Sequence, residues 1–436
     1  MSGVSLRRNA LLLAIATALV AVAADWNRAA GVAGLWGVPC GLLLFGLAYE
    51  SWVVARSGLS LVIEAPQCWL LGRRSAVRFG FAQGLRRQLT IEFAPSAPAF
   101  IELGAAAVVV LKIPAQDCVR TEHVASACRL GAASWPRQRV RIAGPLGLAW
   151  WPRVLAPVYD MNVVPDMLHG ARGGPGADAF GSRTGIAVAA GGEFLRLRAY
   201  RVGDPPRVID WRATARSRRL ISRDYASDQR LEMVIVVDAG RASGIWAGEL
   251  DRFGHYVNVA ARLAQYAASY EDMVGLVTYA AQPLAALAPA RGTAAVMRMR
   301  ALLAASSVEV SESNALQAAI RVCSLVRQRS LIVLLTDLDD TTATGQLVQA
   351  VRLLLPKHLP FVAALSSAAA ETLARAPARE WLDPYRVLAA QEYCTGQARK
   401  VRALNALGAP TLVARPEQLE RAVLESYANL RRQRRA

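Results

Sequence analysis

Two apolar runs without charge open the chain: NALLLAIATALVAVAA, ending at Ala24, and, after the polar break DWNR, AAGVAGLWGVPCGLLLFGLAY from Ala29 to Tyr49. The second holds 21 residues, enough for a helix rising about 1.5 Å per residue to cross a bilayer. The pattern predicts spans over about 10–24 and 29–49, a transmembrane helical hairpin within residues 1–57. Arg7 and Arg8 precede the first run and the arginine-rich bulk follows the second, so the positive-inside rule puts both on the inner side. AVAAD also reads as a signal-peptidase site. If it is cut, the second run still delivers the bulk inside.

From 58 to 168 the pattern changes to short alternating runs, LSLVIEA, SAVRFGFA, LTIEFA, AVVVLKIPA, RQRVRIAGPLGLAWW and YDMNVVPDM, broken by Gly, Pro and Ser. That period predicts a β-sandwich, with GPLGL as the turn of a late hairpin. Residues 169–192 are Gly- and Ala-rich and read as a linker. A signature segment rich in Arg and Trp fills 193–230, and from 231 to 436 continuous apolar strands alternate with helical spacing. LEMVIVVD, MVGLVTYA, SLIVLLTD, LPFVAALS and PTLVA are the strands. Leu250, Phe253, Val257, Ala260 and Ala264 mark the helix after the first. Such alternation predicts a mostly parallel sheet covered on both faces, a Rossmann-type α/β domain. The fold class expected is therefore multidomain.

Composition narrows the chemistry. The net charge is +18, and Lys112, Lys357 and Lys400 are the only lysines, so the basicity is arginine. Either an Arg-rich proteome or an anionic partner accounts for it: acidic protein, lipid headgroups or nucleic acid. The six cysteines form no CxxC pair and the four histidines lie apart from them, which argues against zinc and for a reducing compartment.

Sites in parallel sheets lie at the carboxyl ends of the strands. Asp238 and Asp337 end two of them. LLTDLDDTT resembles the nucleophile motif of haloacid-dehalogenase-like phosphatases, but the paired acids such an enzyme needs downstream are missing. Asp238 with Thr336-Asp337 is more similar to a von Willebrand factor A domain, whose metal-ion-dependent adhesion site begins DxSxS and holds Mg²⁺ with oxygen ligands. Here Gly240 and Ala242 stand at the serine positions. Ser243, Ser311, Ser313 or Asn314 are candidates to replace the oxygens; the alternative is that Asp238 and Asp337 cap helices or pair with Arg241.

The run EFLRLRAYRVGDPPRVIDWRATARSRRLISRDY from Glu193 is similar to the signature of the bacterial family known as domain of unknown function 58. The matching positions are Glu193, Arg198, Tyr200, Gly203, Asp204, Arg207, Asp210, Trp211, Ala215, Arg216 and Arg223; Ala199 departs from it, where the family usually has a glutamate. Locally, Asp204 is placed to cap a helix taking Pro205 and Pro206 in its first turn, with Val208, Trp211 and Ala215 on one face. Two readings stand side by side: Trp211 and Tyr200 pin the helix to the α/β domain while the arginines pair with Asp204, Asp210, Asp224 and Glu193, or the arginines form a docking face for an acidic partner. Nucleic acid is disfavoured, since no binding motif accompanies the aromatics.

The resemblance implies a non-enzymatic protein at the bacterial inner membrane, its soluble domains in the cytoplasm. It further implies an adaptor acting with a MoxR-type AAA+ ATPase on a client protein complex, with no catalytic residue and no cofactor. A Mg²⁺-dependent protein-binding receptor is the alternative, and a phosphatase the weaker one.

Overall fold

The computed structural model describes residues 4–26, 37–104, 108–167, 194–201, 204, 206–225, 231–339, 341–377 and 379–435. The expected 169–192 linker, Glu193 and Gly203 lie outside them. The chain divides into two compact units, Met1–Val164 and Pro165–Ala436.

In the first unit the elements are β1 (Ser5–Leu6), α1 (Arg8–Trp26), α2 (Gly37–Ala55), β2 (Ser60–Glu64), β3 (Cys68–Leu70), β4 (Arg74–Ala82), β5 (Leu89–Phe93), β6 (Ile101–Leu103), β7 (Val109–Ile113), β8 (Cys118–Ala127), β9 (Gly131–Ser134), β10 (Gln138–Ala143), β11 (Ala149–Leu155) and β12 (Asp160–Val164). The strands form sheets ordered β1-β11-β10-β5-β7, β2-β4-β8-β6 and β3-β12-β9. Phe79 and Phe81 of β4 meet Phe93 of β5 edge to face, with centroids 5.1 and 4.9 Å apart, so rings from two sheets interlock in one core. β8 was not legible in the pattern: its first seven side chains from Cys118 alternate between exposed and half-buried, and the run Arg120–His123 within them is polar. α2 is the one described helix long and apolar enough to cross a membrane. It does not stop at Tyr49 but continues to Ala55, because Glu50 finds its hydrogen bonds inside the protein and not in water.

The second unit contains β13 (Phe194–Ala199), α3 (Trp211–Ser217), β14 (Ile221–Tyr225), β15 (Glu232–Asp238), β16 (Trp246–Ala247), β17 (Leu250–Asp251), α4 (Arg252–Ala268), β18 (Met273–Tyr279), β19 (Pro283–Ala290), α5 (Gly292–Ala305), α6 (Ala315–Leu325), β20 (Leu331–Leu335), α7 (Thr341–Leu354), β21 (Leu359–Leu365), α8 (Ala368–Leu373), α9 (Asp383–Ala406), β22 (Thr411–Ala414) and α10 (Pro416–Arg435). Six strands make one sheet in the order β19-β18-β15-β20-β21-β22, with β19 antiparallel and the others parallel. Val234, Val236, Ile332, Leu334 and Val362 are fully buried among α6 and α7 side chains such as Ala319, Val322, Leu347 and Val351. Full burial of each such valine or leucine is worth about 1.5–3 kcal/mol, which is why these strands read as unbroken apolar runs. Parallel pairing then brings the carboxyl ends of β15 and β20 side by side, with Val237 opposite Leu335.

Candidate functional site

Asp238 is the last residue of β15 and is 2% exposed. Its Oδ1 accepts from the Gly240 amide at 2.9 Å and the Ser313 hydroxyl at 2.5 Å, and its Oδ2 accepts from Thr336 Oγ1 at 2.8 Å. The Tyr279 hydroxyl lies 3.4 Å from the same Oδ2 and 3.1 Å from Thr336 Oγ1. Burial pushes the Asp238 carboxyl above the usual range, and the donors from Ser313, Gly240, Thr336 and Tyr279 pull against it. The same burial pushes the Tyr279 and Tyr256 hydroxyls well up.

Ser313 reaches Asp238 because position 240 is glycine: a side-chain carbon there would stand 2.1 Å from Ser313 Oγ. The segment before α6 thus supplies a hydroxyl donor to the strand-end carboxylate. The other candidates are used elsewhere. Asn314 caps α6 by accepting from the Gln317 amide, Ser311 Oγ accepts from the Ala281 amide at 3.4 Å, and the Ser243 hydroxyl is buried without a hydrogen-bond partner.

Asp337 has a different neighbour from the one expected. The guanidinium of Arg252, first residue of α4, pairs with Asp337 through Nη1 and with Asp339 through Nη2 at 2.6 Å. Arg241, the expected partner, points to Glu312 on the surface. Arg252 is 6% exposed, and the loop it grips is tied from behind by Lys400, whose Nζ donates to the Leu338 and Asp339 carbonyls at 2.6 and 2.9 Å. A Mg²⁺ site needs several oxygens converging on an open position. Here Asp238 is saturated by protein donors and Asp337 and Asp339 face a resident cation. The described residues hold no group of three or more His, Cys, Asp or Glu arranged for a metal. The expected ligand pair Asp238 and Asp337 therefore does not fit Mg²⁺.

The signature segment is a small antiparallel hairpin, β13 with β14, carrying α3 between them. Arg198 grips Asp204 with both terminal nitrogens, at 2.7 and 2.9 Å, and Asp204 also accepts from the Arg201 amide and from Ser222. These bonds, led by Arg198, hold the Asp204 carboxyl far below the usual range. Asp204 does not cap the helix: Pro206–Val208 form a separate 3₁₀ turn, and Asp210 caps α3 through the Arg212 and Ala213 amides at 3.0 Å each. The other Asp210 oxygen takes Arg223 Nε at 2.9 Å. The Arg223 bond and the Ala213 amide bring its carboxyl down to about 2. The Tyr200 hydroxyl donates to the Asp204 carbonyl.

Trp211 is 66% exposed, so it pins nothing. The predicted apolar face splits: Val208 is buried, while Trp211 and Ala215 look into solvent. Arg207, Arg212, Arg216, Arg218 and Arg219 are exposed around it. Two acids of the hairpin, Asp204 and Asp210, are already held by Arg198 and Arg223, and the Asp224 side chain lies outside the described residues.

This hairpin and the strands β15 to β21 of the sheet fall within one family model. Residues 196–365 match the family model described as protein of unknown function DUF58. The DUF58 match runs from β13 through β21, so it takes in Asp204, Asp210, Trp211, Asp238 and Asp337 together. Among solved structures, conserved hypothetical protein BatB from Bacteroides thetaiotaomicron is similar over 46% of this chain and 98% of its own, at 12% identity and TM-score 0.31. The native conformation of E. coli alpha-2-macroglobulin is similar over 25% of this chain and 7% of its own, at 12% identity and TM-score 0.20. A protein of unknown function from Porphyromonas gingivalis W83 is similar over 24% and 48%, at 12% identity and TM-score 0.18. No curated protein matches this chain.

Proposed function

We propose that this protein is a non-enzymatic adaptor at the bacterial inner membrane, with its soluble units in the cytoplasm, acting with a MoxR-type AAA+ ATPase on a client protein complex. The observation that carries this reading is the exposed Trp211 set among Arg207, Arg212, Arg216, Arg218 and Arg219, next to acids consumed by internal pairing. A tryptophan two-thirds exposed within an arginine cluster has the composition of an interface hot spot, and its charge suits an acidic protein surface. The DUF58 match supports the adaptor role through the resemblance described above, and the strand order with one antiparallel edge strand supports a von Willebrand A-like domain. The first unit is read as a β-sandwich and the apolar helices α1 and α2 as a membrane hairpin, whose outward side chains Leu12, Leu19, Leu42 and Phe45 are 53, 65, 67 and 71% exposed.

The test is a mild-detergent capture of the tagged protein from its own host, with and without ATP, read by mass spectrometry. Recovery of a AAA+ ATPase that falls with Arg207→Glu combined with Arg216→Glu, in a protein that still folds, is the expected result. Capture that ignores both arginines would make the segment a structural clamp, and absence of any ATPase would end the adaptor reading.

A further inference from the structure

Glu50 is a carboxylate within the apolar helix α2, and it is fully buried. Its partners lie in the turn between β10 and β11 and in the first residues of β11. Oε1 accepts from the Leu146 and Leu148 amides at 2.9 and 3.0 Å, and Oε2 from the Ala149 amide at 3.0 Å and Trp151 Nε1 at 3.3 Å. The remaining amides of the turn are also satisfied: Gly144 N donates to the Ala149 carbonyl and Gly147 N to the Gly144 carbonyl, and Pro145 has none to place. Every N–H from 144 to 149 therefore has a partner within the protein. Gly144 is required for this, since a side-chain carbon there would fall 2.0 Å from the Glu50 carboxylate.

The turn lies alongside α2 and not beyond its end. A side-chain carbon at Gly46 would meet Leu148 Cδ1 at 2.7 Å and Leu146 Cδ1 at 3.5 Å. Gly46 is one helical turn, about 6 Å, further into the apolar stretch than Glu50. Leu146 itself is 51% exposed, and its Cδ1 lies beside Gly46 of α2. Aromatic rings and arginines gather at the level of Glu50: Arg56 lies over the Trp52 ring at 4.1 Å, Arg7 over the Trp150 ring at 4.8 Å, and Arg87 donates to the Tyr49 hydroxyl at 3.1 Å. Such rings and cations mark the headgroup level of a bilayer.

We propose that the turn Gly144–Leu148 dips into the phospholipid interface beside α2 and seats the first unit on the membrane, with Glu50 as the acceptor that lets its backbone enter. The inference rests on the membrane-anchored reading above. Irregular backbone is excluded from lipid because its N–H groups would go unpaired; Glu50 removes that obstacle, and the donors of Leu146, Leu148, Ala149 and Trp151 in return satisfy the charge of a glutamate that hydrocarbon would otherwise reject. Leu146 then faces lipid, and no water-filled cleft is needed.

The experiment uses the full chain in phosphatidylglycerol/phosphatidylcholine vesicles, with a genetically encoded solvatochromic amino acid at position 146 and, separately, at position 158, where Val158 is 99% exposed. Emission at 146 is expected to shift to the blue and to be quenched several-fold more strongly than at 158 by lipids carrying a nitroxide near the headgroup. Equal quenching at both positions, in protein that resists alkaline carbonate extraction, overturns this inference and leaves the anchor intact; protein stripped by carbonate overturns both. Glu50→Ala is expected to stay in the membrane while losing most of the quenching at 146, and Glu50→Gln to retain more of it. Unchanged quenching in Glu50→Ala would remove Glu50 from the device.

Discussion

Gly240 and Ser313 compete for one space: a side-chain carbon at 240 would stand 2.1 Å from the Ser313 hydroxyl that donates to Asp238. Gly240→Ser is therefore expected to destabilise the α/β unit by about 1–3 kcal/mol through overpacking. Ser313→Ala is expected to cost a similar ~1–3 kcal/mol, because a buried carboxylate loses a donor. Combined, the two changes should cost clearly less than their sum, since each makes room for the other. Urea denaturation of the four proteins measures this, and simple additivity would contradict it.

Arg252 is the cation of the strand-end site. Arg252→Ala leaves Asp337 and Asp339 facing each other without a counter-charge and is expected to cost about 3–5 kcal/mol. Thermal melts with and without millimolar Mn²⁺ add a second readout. The parent protein is expected to ignore the ion and Arg252→Ala to regain part of its loss when the ion is added. Stabilisation of the parent that disappears in Asp337→Asn would show a metal site after all.

Acid should loosen the signature hairpin. The Asp210 carboxyl is held down to about 2 in the folded chain, below its unfolded value near 4, so its contribution is complete above the unfolded value and is lost as pH falls towards 2. Asp204 is shifted in the same direction. Hydrogen exchange of peptides spanning 206–225, corrected for intrinsic rate, is expected to show protection that is flat between pH 7 and pH 5 and declines below pH 4. In Arg223→Gln the decline should be smaller and should finish at higher pH, because the leading cause of the shift is gone and the folded value moves up towards the unfolded one.

Trp211 separates stability from recognition. Trp211→Ala removes an exposed ring and is expected to change the folding free energy by no more than about 0.5 kcal/mol. Loss of a tryptophan hot spot costs about 2 kcal/mol or more of binding, so ATPase capture should fall more than tenfold. A large drop in melting temperature would instead return Trp211 to a packing role.

Most of the architecture was legible because burial leaves a periodic mark. β15, β18, β20 and β21 are buried on both faces and read as unbroken apolar runs, while β4 and β5 bury alternate residues and read as alternation. β19, PLAALAPA, was missed because an edge strand with half-exposed alanines and two prolines has no such mark. At the sites, residue types were legible but partners were not. Ser313 could be named as a source of oxygen, yet Arg252 could not be matched to Asp337, because that contact depends on where α4 starts beside the β20 loop. Trp211 looked buried by its spacing from Val208; the break between the 3₁₀ turn and α3 turns the two residues apart.

The pairing of Leu6 with Ala149 and Ser5 with Trp150 bears on the order of events during synthesis. β1 has no partner until β11 has been made. At translation rates of about 5–20 residues per second it waits on the order of ten seconds. During that interval α1 and α2 have already been made, and they tether the strand to the rest of the first unit. Closing the sheet is then a late step, and cutting the chain after Ala24 would remove the strand before its partner existed.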